Sequence, residues 1–174
     1  GQWSSAGPNV DFFRRLDARV RYLNEKGLVA DLILAGGAGT LTRLLPNPDD
    51  RRRFVRFVAG RYGAFNVTWQ AVDNFEDYQD GRALVKEIGE ALQEFDPYHH
   101  PRTTGARATS GVLLDDKWMD YALEMTADTN VGAVDHQIYG APLVNVAAPQ
   151  EDAAAFRRRL WNSFMDGQYL AIAS

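Results

Sequence analysis

The apolar residues of this chain recur at two kinds of spacing, which predict helices that alternate with short strands. Residues 11–26 carry apolar side chains three and four positions apart, the spacing of one helix face, and Gly27 follows as a residue typical of helix ends. Residues 28–35 are nearly continuously apolar, which predicts a strand covered on both faces.

The same alternation continues towards the C-terminus. Asn47 and Pro48 begin a second helix, because Asn caps helices and Pro suits their first turn. We predict helices at 47–62, 81–95, 131–139 and 151–165, and further strands at 65–72, 103–106, 121–126, 142–147 and 168–173. Each of the resulting six strands is separated from the next by a helix or a long connection. Parallel strands require such crossovers, so the predicted fold class is α/β with a parallel sheet.

Composition fits one globular domain and excludes several classes of protein. The chain has 174 residues, of which 45% are hydrophobic and 24% charged, and it contains no Cys. We expect a single α/β domain over residues 1–174, with residues 1–9 as a loose N-terminal segment. The lack of Cys excludes thiolate metal sites and Cys nucleophiles.

Charge and hydropathy argue against two kinds of partner. The chain has 19 Lys and Arg residues against 23 Asp and Glu residues, a net charge of −4. This disfavours nucleic acid, because phosphate neutralisation needs a surplus of basic side chains. No apolar run approaches the roughly 20 residues of a membrane span. The N-terminal residues lack the basic region and apolar core of a signal peptide, which fits either a cytoplasmic chain or a mature exported one.

Two motifs that suggest phosphate or metal binding have simpler interpretations. The glycine-rich residues 36–40 lack the Lys-Ser/Thr of a phosphate loop, and no helix is predicted directly after them, so we interpret them as a flexible connection. His99 and His100 are adjacent and point in different directions, and His136 stands alone on a predicted helix. We therefore predict no metal and no cofactor.

Longer stretches of the sequence resemble a known family. In chain order they are FFRRLDARVRYLNEKGLVADLILAGG, RFVRFVAGRYGAFNVTWQ, ALVKEIGEALQEFDPYHHPRTT, KWMDYALEMT, PLVNVAAPQED and FRRRLWNSFMDGQY. Together they resemble the apiosidase-like glycoside hydrolase family, the DUF4038-type barrels of bacteria, from about Val10 to the last residue. The resemblance implies a (β/α)8 barrel that hydrolyses glycosidic bonds in polysaccharide side chains, in a secreted or periplasmic protein.

The resemblance begins at the helix before the family's third barrel strand. We therefore expect a partial or rearranged TIM-type barrel with about six parallel strands. A barrel without its first two strands exposes two sheet edges. These edges would close by another route, or pair with a second copy or a complementing chain; the remaining alternative is a fragment or a redesign of the family's barrel.

Both catalytic carboxylates of the family fall on non-acidic residues here. The family's acid/base Glu follows the Trp of strand four by five residues, and the same step from Trp69 leads to Asn74. The family's nucleophile falls on Ala147, two positions after Asn145. Retaining hydrolysis needs two carboxyl groups roughly 5 Å apart, one to protonate the leaving oxygen and one to attack. Neither Asn nor Ala can take these roles.

Neighbouring acids are the candidates for a substitute. Asp73 and Glu76 flank Asn74, and either could act as the acid. Glu151, or Asp128, could supply the second carboxylate. An inverting arrangement, with carboxyl groups roughly 6.5–9.5 Å apart, tolerates such displacement better than a retaining one. The alternative interpretation is a solvated acidic loop after strand four and favourable first-turn charges on the last helix.

Trp69 and Tyr139 are candidate sugar-stacking residues, because flat apolar aromatic faces pack against pyranose rings. With the amides of Asn74 and Asn145 they form the predicted substrate-binding set. The alternative for each aromatic residue is core packing. Trp118 precedes a strand and is expected at the bottom of the barrel.

Three hypotheses for function follow. The chain is a glycoside hydrolase that uses its own alternative carboxylates, or a catalytically inactive module that binds sugar or serves as a scaffold. The third hypothesis is a subunit that self-assembles through exposed barrel edges, and it is compatible with the second.

Overall fold

Helices and strands alternate along the part of the chain that the computed structural model describes, residues 3–4, 7–126, 128, 130–147 and 152–172. The strands are β1 (Trp3–Ser4), β2 (Gly7–Pro8), β3 (Ala30–Ile33), β4 (Val67–Gln70), β5 (Arg102–Thr103), β6 (Ala122–Glu124), β7 (Leu143–Ala147) and β8 (Tyr169–Ile172). The α-helices are α1 (Val10–Glu25), α2 (Thr40–Leu44), α3 (Pro48–Tyr62), α4 (Gly81–Phe95), α5 (Asn130–Tyr139) and α6 (Ala153–Met165). Two 3-10 helices, Phe75–Asp77 and Gly111–Asp116, follow β4 and β5.

Six of these strands form two three-stranded parallel sheets. The strand order is β3-β4-β5 in the first sheet and β6-β7-β8 in the second. Two hydrogen bonds join β5 to the segment that leads into β6. The Asp120 amide donates to the Arg102 carbonyl oxygen at 2.9 Å, and Thr103 Oγ1 donates to the Tyr121 carbonyl oxygen at 2.8 Å. The predicted α/β class with about six parallel strands is confirmed.

Side-chain caps and a glycine set the ends of the helices. Asn9 caps α1 and Asn47 caps α3, each by accepting a hydrogen bond from an amide of the first turn. After α1, Gly27 has φ of 75°, a left-handed conformation that glycine adopts without strain. Asp96 follows α4 immediately before Pro97, where the sequence predicts a stop.

The N-terminal side of the chain departs from the sequence-based expectation in three places. β1 and β2 pair as a short antiparallel hairpin within the stretch expected to be loose. The connection predicted after the first long strand contains the five-residue helix α2. That strand, predicted at 28–35, is reduced to β3, and Ile33 is 47% exposed. The expectation that both its faces are covered is wrong, because Leu28 and Val29 of the same stretch are each 52% exposed as well. Among the described residues, β3 is an edge strand that pairs only with β4.

The second sheet also ends in an edge strand with apolar surroundings. Within the part of the chain that the structure describes, β8 pairs with β7 only, and its Tyr169 is exposed. On the neighbouring helix α6, Trp161, Phe164 and Met165 are 60%, 68% and 78% exposed. The Trp161 and Phe164 rings contact each other edge to face, with centroids 6.4 Å apart, and contiguous exposed apolar patches can mark interaction sites.

The core lies between the first sheet and helices α3 and α4. Its central side chains have no exposed surface: Val55, Tyr62, Trp69, Val85 and Leu92. Gly89 of α4 lies so close to the buried Trp118 ring that a Cβ at this position would overlap it. Trp118 is therefore a core residue on the amino-terminal side of β6.

Helix length and hydropathy show whether a helix could span a membrane. The longest α-helix of the described residues, α1, has 16 residues. Within the same residues, no helix combines the length and apolar character that a bilayer crossing needs.

Candidate active site at the carboxyl ends of the strands

The connections that follow β3, β4 and β5 meet at the carboxyl ends of these strands. The Asp73 amide donates to the Ala35 carbonyl oxygen at 3.0 Å, and the Gly105 amide donates to the Val72 carbonyl oxygen at 2.8 Å. The Phe75 amide in turn donates to the Gly105 carbonyl oxygen at 3.1 Å. Because parallel barrels carry their chemistry at this edge, these backbone bonds hold the acids of the β4 connection at the candidate site.

Two glycines permit this close contact. A Cβ on Gly105 would overlap the carbonyl oxygen of Asp73, and a Cβ on Gly37 would lie 2.5 Å from Asp77 Oδ2. A larger residue at position 105 would displace the backbone of the β4 connection, and one at position 37 would displace the Asp77 side chain. The glycine-rich stretch interpreted from the sequence as a flexible connection is therefore packed against the β4 connection.

Asp77 ties the three connections together. Its Oδ1 lies 2.7 Å from Arg107 Nη2, and its Oδ2 accepts a hydrogen bond from the Ala38 amide at 3.1 Å. The Arg107 guanidinium, together with the Ala38 amide, lowers the pKa of Asp77. Asp77 is therefore an ionised anchor, and it was visible in the sequence only as one acid of a loop. Arg107 gave no sequence signal, because its partner is 30 positions away.

Glu76 and Asp73, the two predicted acids beside Asn74, lie in different environments. Both oxygens of the exposed Glu76 accept a hydrogen bond from the Arg107 amide, each at 3.2 Å. Asp73 is exposed too, and the described residues give its carboxylate no hydrogen-bond partner. Asn74 is half-buried beside Gly37. Both acids thus lie at the carboxyl end of β4, and Asp73 is the less constrained.

The candidates for the second carboxylate follow β6 and β7, at the carboxyl ends of these strands. Asp128, after β6, is exposed and accepts hydrogen bonds from the amide and side chain of Asn130, at 3.1 and 2.7 Å. Ala147 is the last residue of β7 and pairs in register with Ile172. Glu151 lies outside the described residues. Of the two acids predicted as the second carboxylate, Asp128 is therefore the one whose position the structure gives.

Trp69 points away from the site, towards helix α4. It has no exposed surface, and its Nε1 donates to Asp96 Oδ2 at 2.9 Å. Asp96 also accepts hydrogen bonds from the Tyr98 and His100 amides. Burial raises the pKa of Asp96, but these donors outweigh it and the pKa is lowered. The predicted sugar contact of Trp69 is corrected to core packing, because a buried ring offers no face to a ligand.

Asn145 and Tyr139, also predicted to contact substrate, lie in packed surroundings. Asn145 is fully buried; its Oδ1 accepts a hydrogen bond from Arg159 Nη1 at 2.9 Å, and its Nδ2 donates to the Thr126 carbonyl oxygen at 3.3 Å. Tyr139 ends α5 and packs, partly buried, against the core. In the structure, Asn145 joins β7 to α6, so its substrate contact is corrected to this internal one.

Glu124 is a buried acid that the sequence analysis did not single out. It is the last residue of β6, has no exposed surface, and finds no hydrogen-bond partner for either carboxylate oxygen among the described residues. Burial raises its pKa to about 7; Thr109 opposes this shift, and the negative charge of Asp135 adds to it. The signal in the sequence was an acid inside an otherwise apolar strand.

Solved structures identify the class of fold. A glycoside hydrolase family 5 protein from Bacteroides vulgatus ATCC 8482 superimposes with a TM-score of 0.77 at 15% identity, over 92% of this chain and 42% of its own. A protein of the same organism assigned as a glycoside hydrolase gives 0.78 at 18% identity, over 95% and 36%. Another glycoside hydrolase gives 0.78 at 15% identity, over 92% and 45%. The fold is that of TIM-barrel-like glycoside hydrolases, and this chain spans less than half the length of each.

The family follows from the sequence itself. The family model described as apiosidase-like, catalytic domain matches residues 2–168. The chain therefore belongs to the apiosidase-like catalytic domain family, and the resemblance seen in the sequence is confirmed. A search of curated proteins finds no match.

Proposed function

We propose that this chain hydrolyses glycosidic bonds in polysaccharide side chains, with Asp73 as the proton donor. The observation that carries the proposal is the position of Asp73, an exposed carboxylate at the carboxyl end of β4 whose amide is bonded to Ala35. Membership of the apiosidase-like family supports a glycoside as the substrate. The carboxyl edge of parallel barrel strands is where such folds carry out their chemistry.

The chemistry requires two groups on opposite sides of the sugar ring. An acid protonates the leaving oxygen, and a base or nucleophile acts at the anomeric carbon. Asp73 takes the first role. Asp128 or Glu151 takes the second, as a base that activates water, because alanine at position 147 cannot attack. The proposal thus favours inversion of the anomeric configuration.

Hydrolysis of a panel of aryl glycosides from about pH 4 to pH 8 tests this proposal. Asp73→Asn should lower kcat/KM by on the order of 10²-fold or more, and Glu76→Gln should have a smaller effect. The loss caused by Asp73→Asn should grow with the pKa of the leaving phenol, because a better leaving group needs less protonation.

The matched control is Glu94→Gln, an exposed acid at the opposite end of α4 whose partner is Arg52. This variant should hydrolyse at the unmodified rate. The proposal fails if the unmodified chain hydrolyses none of the glycosides, or if Asp73→Asn is as active as the control.

A second candidate function is a catalytically inactive module that binds sugar or assembles through its sheet edges. The observation that favours it is the pair of edge strands: among the residues that the structure describes, β3 and β8 each pair on one side only, with exposed apolar side chains nearby. Because the strands within each three-stranded sheet are parallel, the β8 edge of one copy can continue into the β3 edge of another, a head-to-tail contact. A complementing chain would use the same edges.

Cross-linking tests assembly, since the sequence has no Cys. Ile33→Cys places a thiol on β3, and Tyr169→Cys places one on β8. In a head-to-tail assembly a short bis-maleimide links the two variants in a mixture and links neither variant to itself. A monomeric mass by light scattering across a wide concentration range, with no cross-linked product, excludes self-assembly through these edges.

A further inference from the structure

A polar cavity lies outside the candidate site, between helices α2, α3 and α4. It encloses about 560 Å³, a volume within the range of small-molecule binding sites. Each of the three helices contributes a side chain to its lining: Thr42 from α2, Arg51 from α3 and Glu87 from α4. The cavity is therefore built from separate parts of the chain and has room for a small polar ligand.

A largely buried ion pair forms one wall of this cavity. Arg51 is only 7% exposed, and its Nε and Nη2 donate to Glu87 Oε1 and Oε2 at 2.8 and 2.7 Å. The third guanidinium nitrogen, Nη1, donates to the carbonyl oxygens of Leu45 and Pro46 at 3.0 and 2.8 Å. Two parallel hydrogen bonds hold the guanidinium and the carboxylate in one geometry. The wall is therefore preorganised, and the charges of its two ionic groups cancel.

Tyr78 joins the cavity to the connection that follows β3. Its Oη donates to the Gly36 carbonyl oxygen at 2.7 Å and accepts a hydrogen bond from the Leu41 amide at 3.4 Å. The side chains of Tyr78 and Leu84 are both buried and supply apolar surface to the lining. The cavity thus combines apolar surface with fixed polar groups, as small-molecule sites do.

Gln79 and Asp80 offer their polar groups to a ligand. Both residues are exposed and line the cavity. Asp80 immediately precedes α4, where an aspartate commonly accepts a hydrogen bond from an amide of the first helical turn. The Asp80 side chain accepts no such bond, so its carboxylate is available to a molecule in the cavity.

The charges of the lining favour a neutral ligand that is rich in hydroxyl groups. Glu87 balances Arg51, and Asp80 adds a negative charge, which disfavours phosphate and other anions. Hydroxyl groups can donate to the Asp80 carboxylate and exchange hydrogen bonds with the Gln79 amide. The C–H groups of the same ligand can pack against Leu84. A sugar ring carries both kinds of group.

We propose that this cavity is a glycan subsite, which binds a sugar unit remote from the cleaved bond. The proposal rests on the proposed function, which makes a polysaccharide the substrate. Asp73 and Asp80 both follow β4 and are seven positions apart in the sequence, so their Cα atoms lie within about 25 Å of each other. A polysaccharide with its scissile bond at Asp73 can therefore extend to the cavity, where binding helps to position it.

NMR titration of the isotope-labelled chain tests the proposal. The probes are short oligosaccharides prepared from pectin, xylan and arabinogalactan. At least one of these preparations should shift the backbone amides of Thr42, Gln79 and Asp80 in a saturable manner. Binding is read directly, so the result does not depend on hydrolysis or on any variant.

Alanine variants then identify the groups that bind. Asp80→Ala should raise the Kd of the bound oligosaccharide roughly tenfold, and Gln79→Ala by less, because hydrogen bonds to a charged group are the stronger ones. Glu90→Ala, an exposed acid of α4 whose partner is Lys86, is the matched control and should bind as the unmodified chain does. If the chain hydrolyses the oligosaccharide, Asp80→Ala should raise its KM with little change in kcat.

Two outcomes overturn the proposal. In the first, no oligosaccharide shifts the amides of the cavity, or Asp80→Ala binds as tightly as Glu90→Ala. In the second, Ca²⁺ or inorganic phosphate shifts these amides and the oligosaccharides do not, which identifies an ion site. Failure of the proposed function is distinguishable: an inactive chain that binds oligosaccharide in the cavity retains the subsite, and an active chain without this binding lacks it.

Discussion

Asp96 and Glu124 are equally buried, yet their pKa values move in opposite directions. The indole of Trp69 and the amides of Tyr98 and His100 donate to Asp96, and its pKa is lowered. At Glu124, burial is the largest effect; together with the negative charge of Asp135 it outweighs the opposing effect of Thr109, and the pKa is raised. Burial acts on both carboxyl groups in the same sense, so the hydrogen-bond donors decide the difference.

Asp96→Asn should lower the free energy of unfolding at neutral pH by about 2–3 kcal/mol, because an amide cannot accept all of these hydrogen bonds. The pKa of Asp96 is lowered, so its stabilisation is present above the ordinary value of 3.8 and is lost as pH falls through the lower folded value. Urea unfolding at about pH 7 and pH 3 measures both effects. A difference between variant and unmodified chain that stays constant with pH would refute this explanation.

At the residue scale, the sequence predicted where acids lie along the chain better than which way side chains point. Asp73 and Glu76 lie at the carboxyl end of β4, as their position after a predicted strand indicates. Trp69 occupies the same strand end but faces α4. Successive strand residues alternate between the two faces, and spacing alone does not show which face a given residue takes.

At the scale of elements, the β4 connection is positioned by its neighbours rather than by its own residues. Backbone bonds join it to Ala35 and Gly105, and Asp77 joins it to Ala38 and Arg107. The candidate proton donor Asp73 therefore depends on contacts made by three separate connections.

Gly105→Ala should destabilise the fold by about 3 kcal/mol or more, because the added methyl group overlaps the Asp73 carbonyl oxygen. Displacement of Asp73 should also reduce any hydrolysis. Gly60→Ala in α3 is the matched control: no atom lies within 4 Å of the added Cβ, and alanine favours helix by up to about 1 kcal/mol. Thermal unfolding of both variants measures the contrast, and equal effects would contradict the proposed packing.

Helices were predicted more closely than strands, for a physical reason. Asn47, Pro48 and Gly27 are local signals, and α1 and α3 begin and end within one residue of prediction. The strand expected at 103–106 is only β5, Arg102–Thr103. Strand length depends on how far the neighbouring strand extends, which is not a local property of the sequence.

At the scale of the whole molecule, the described residues form two three-stranded sheets with an edge strand at each end rather than a closed barrel. The sequence indicated them through the family resemblance, and the structure describes β3 and β8 as edge strands. What the sequence did not show is that α6, which packs next to β8, leaves apolar side chains exposed. That depends on which helix face the sheet leaves uncovered.

Ile33→Lys should weaken self-assembly, if edges pair, without lowering the melting temperature. A charge on an edge strand opposes pairing with another chain, and Ile33 is half exposed, so little packing is lost. Ile138→Lys on α5 serves as control, because Ile138 is 64% exposed and Ile33 is 47% exposed. Sedimentation velocity across a concentration series measures both; a loss of assembly in the control alone would place the contact elsewhere.

The central claim is that this domain hydrolyses glycosides with its own displaced carboxylates, Asp73 first among them. The most direct measurement compares kcat/KM of the unmodified chain with that of the double variant Asn74→Glu, Ala147→Glu on the same aryl glycosides. We predict measurable hydrolysis by the unmodified chain and a change of less than about tenfold in the double variant. An inactive unmodified chain, together with a double variant that gains activity by orders of magnitude, would contradict the claim and favour the inactive module.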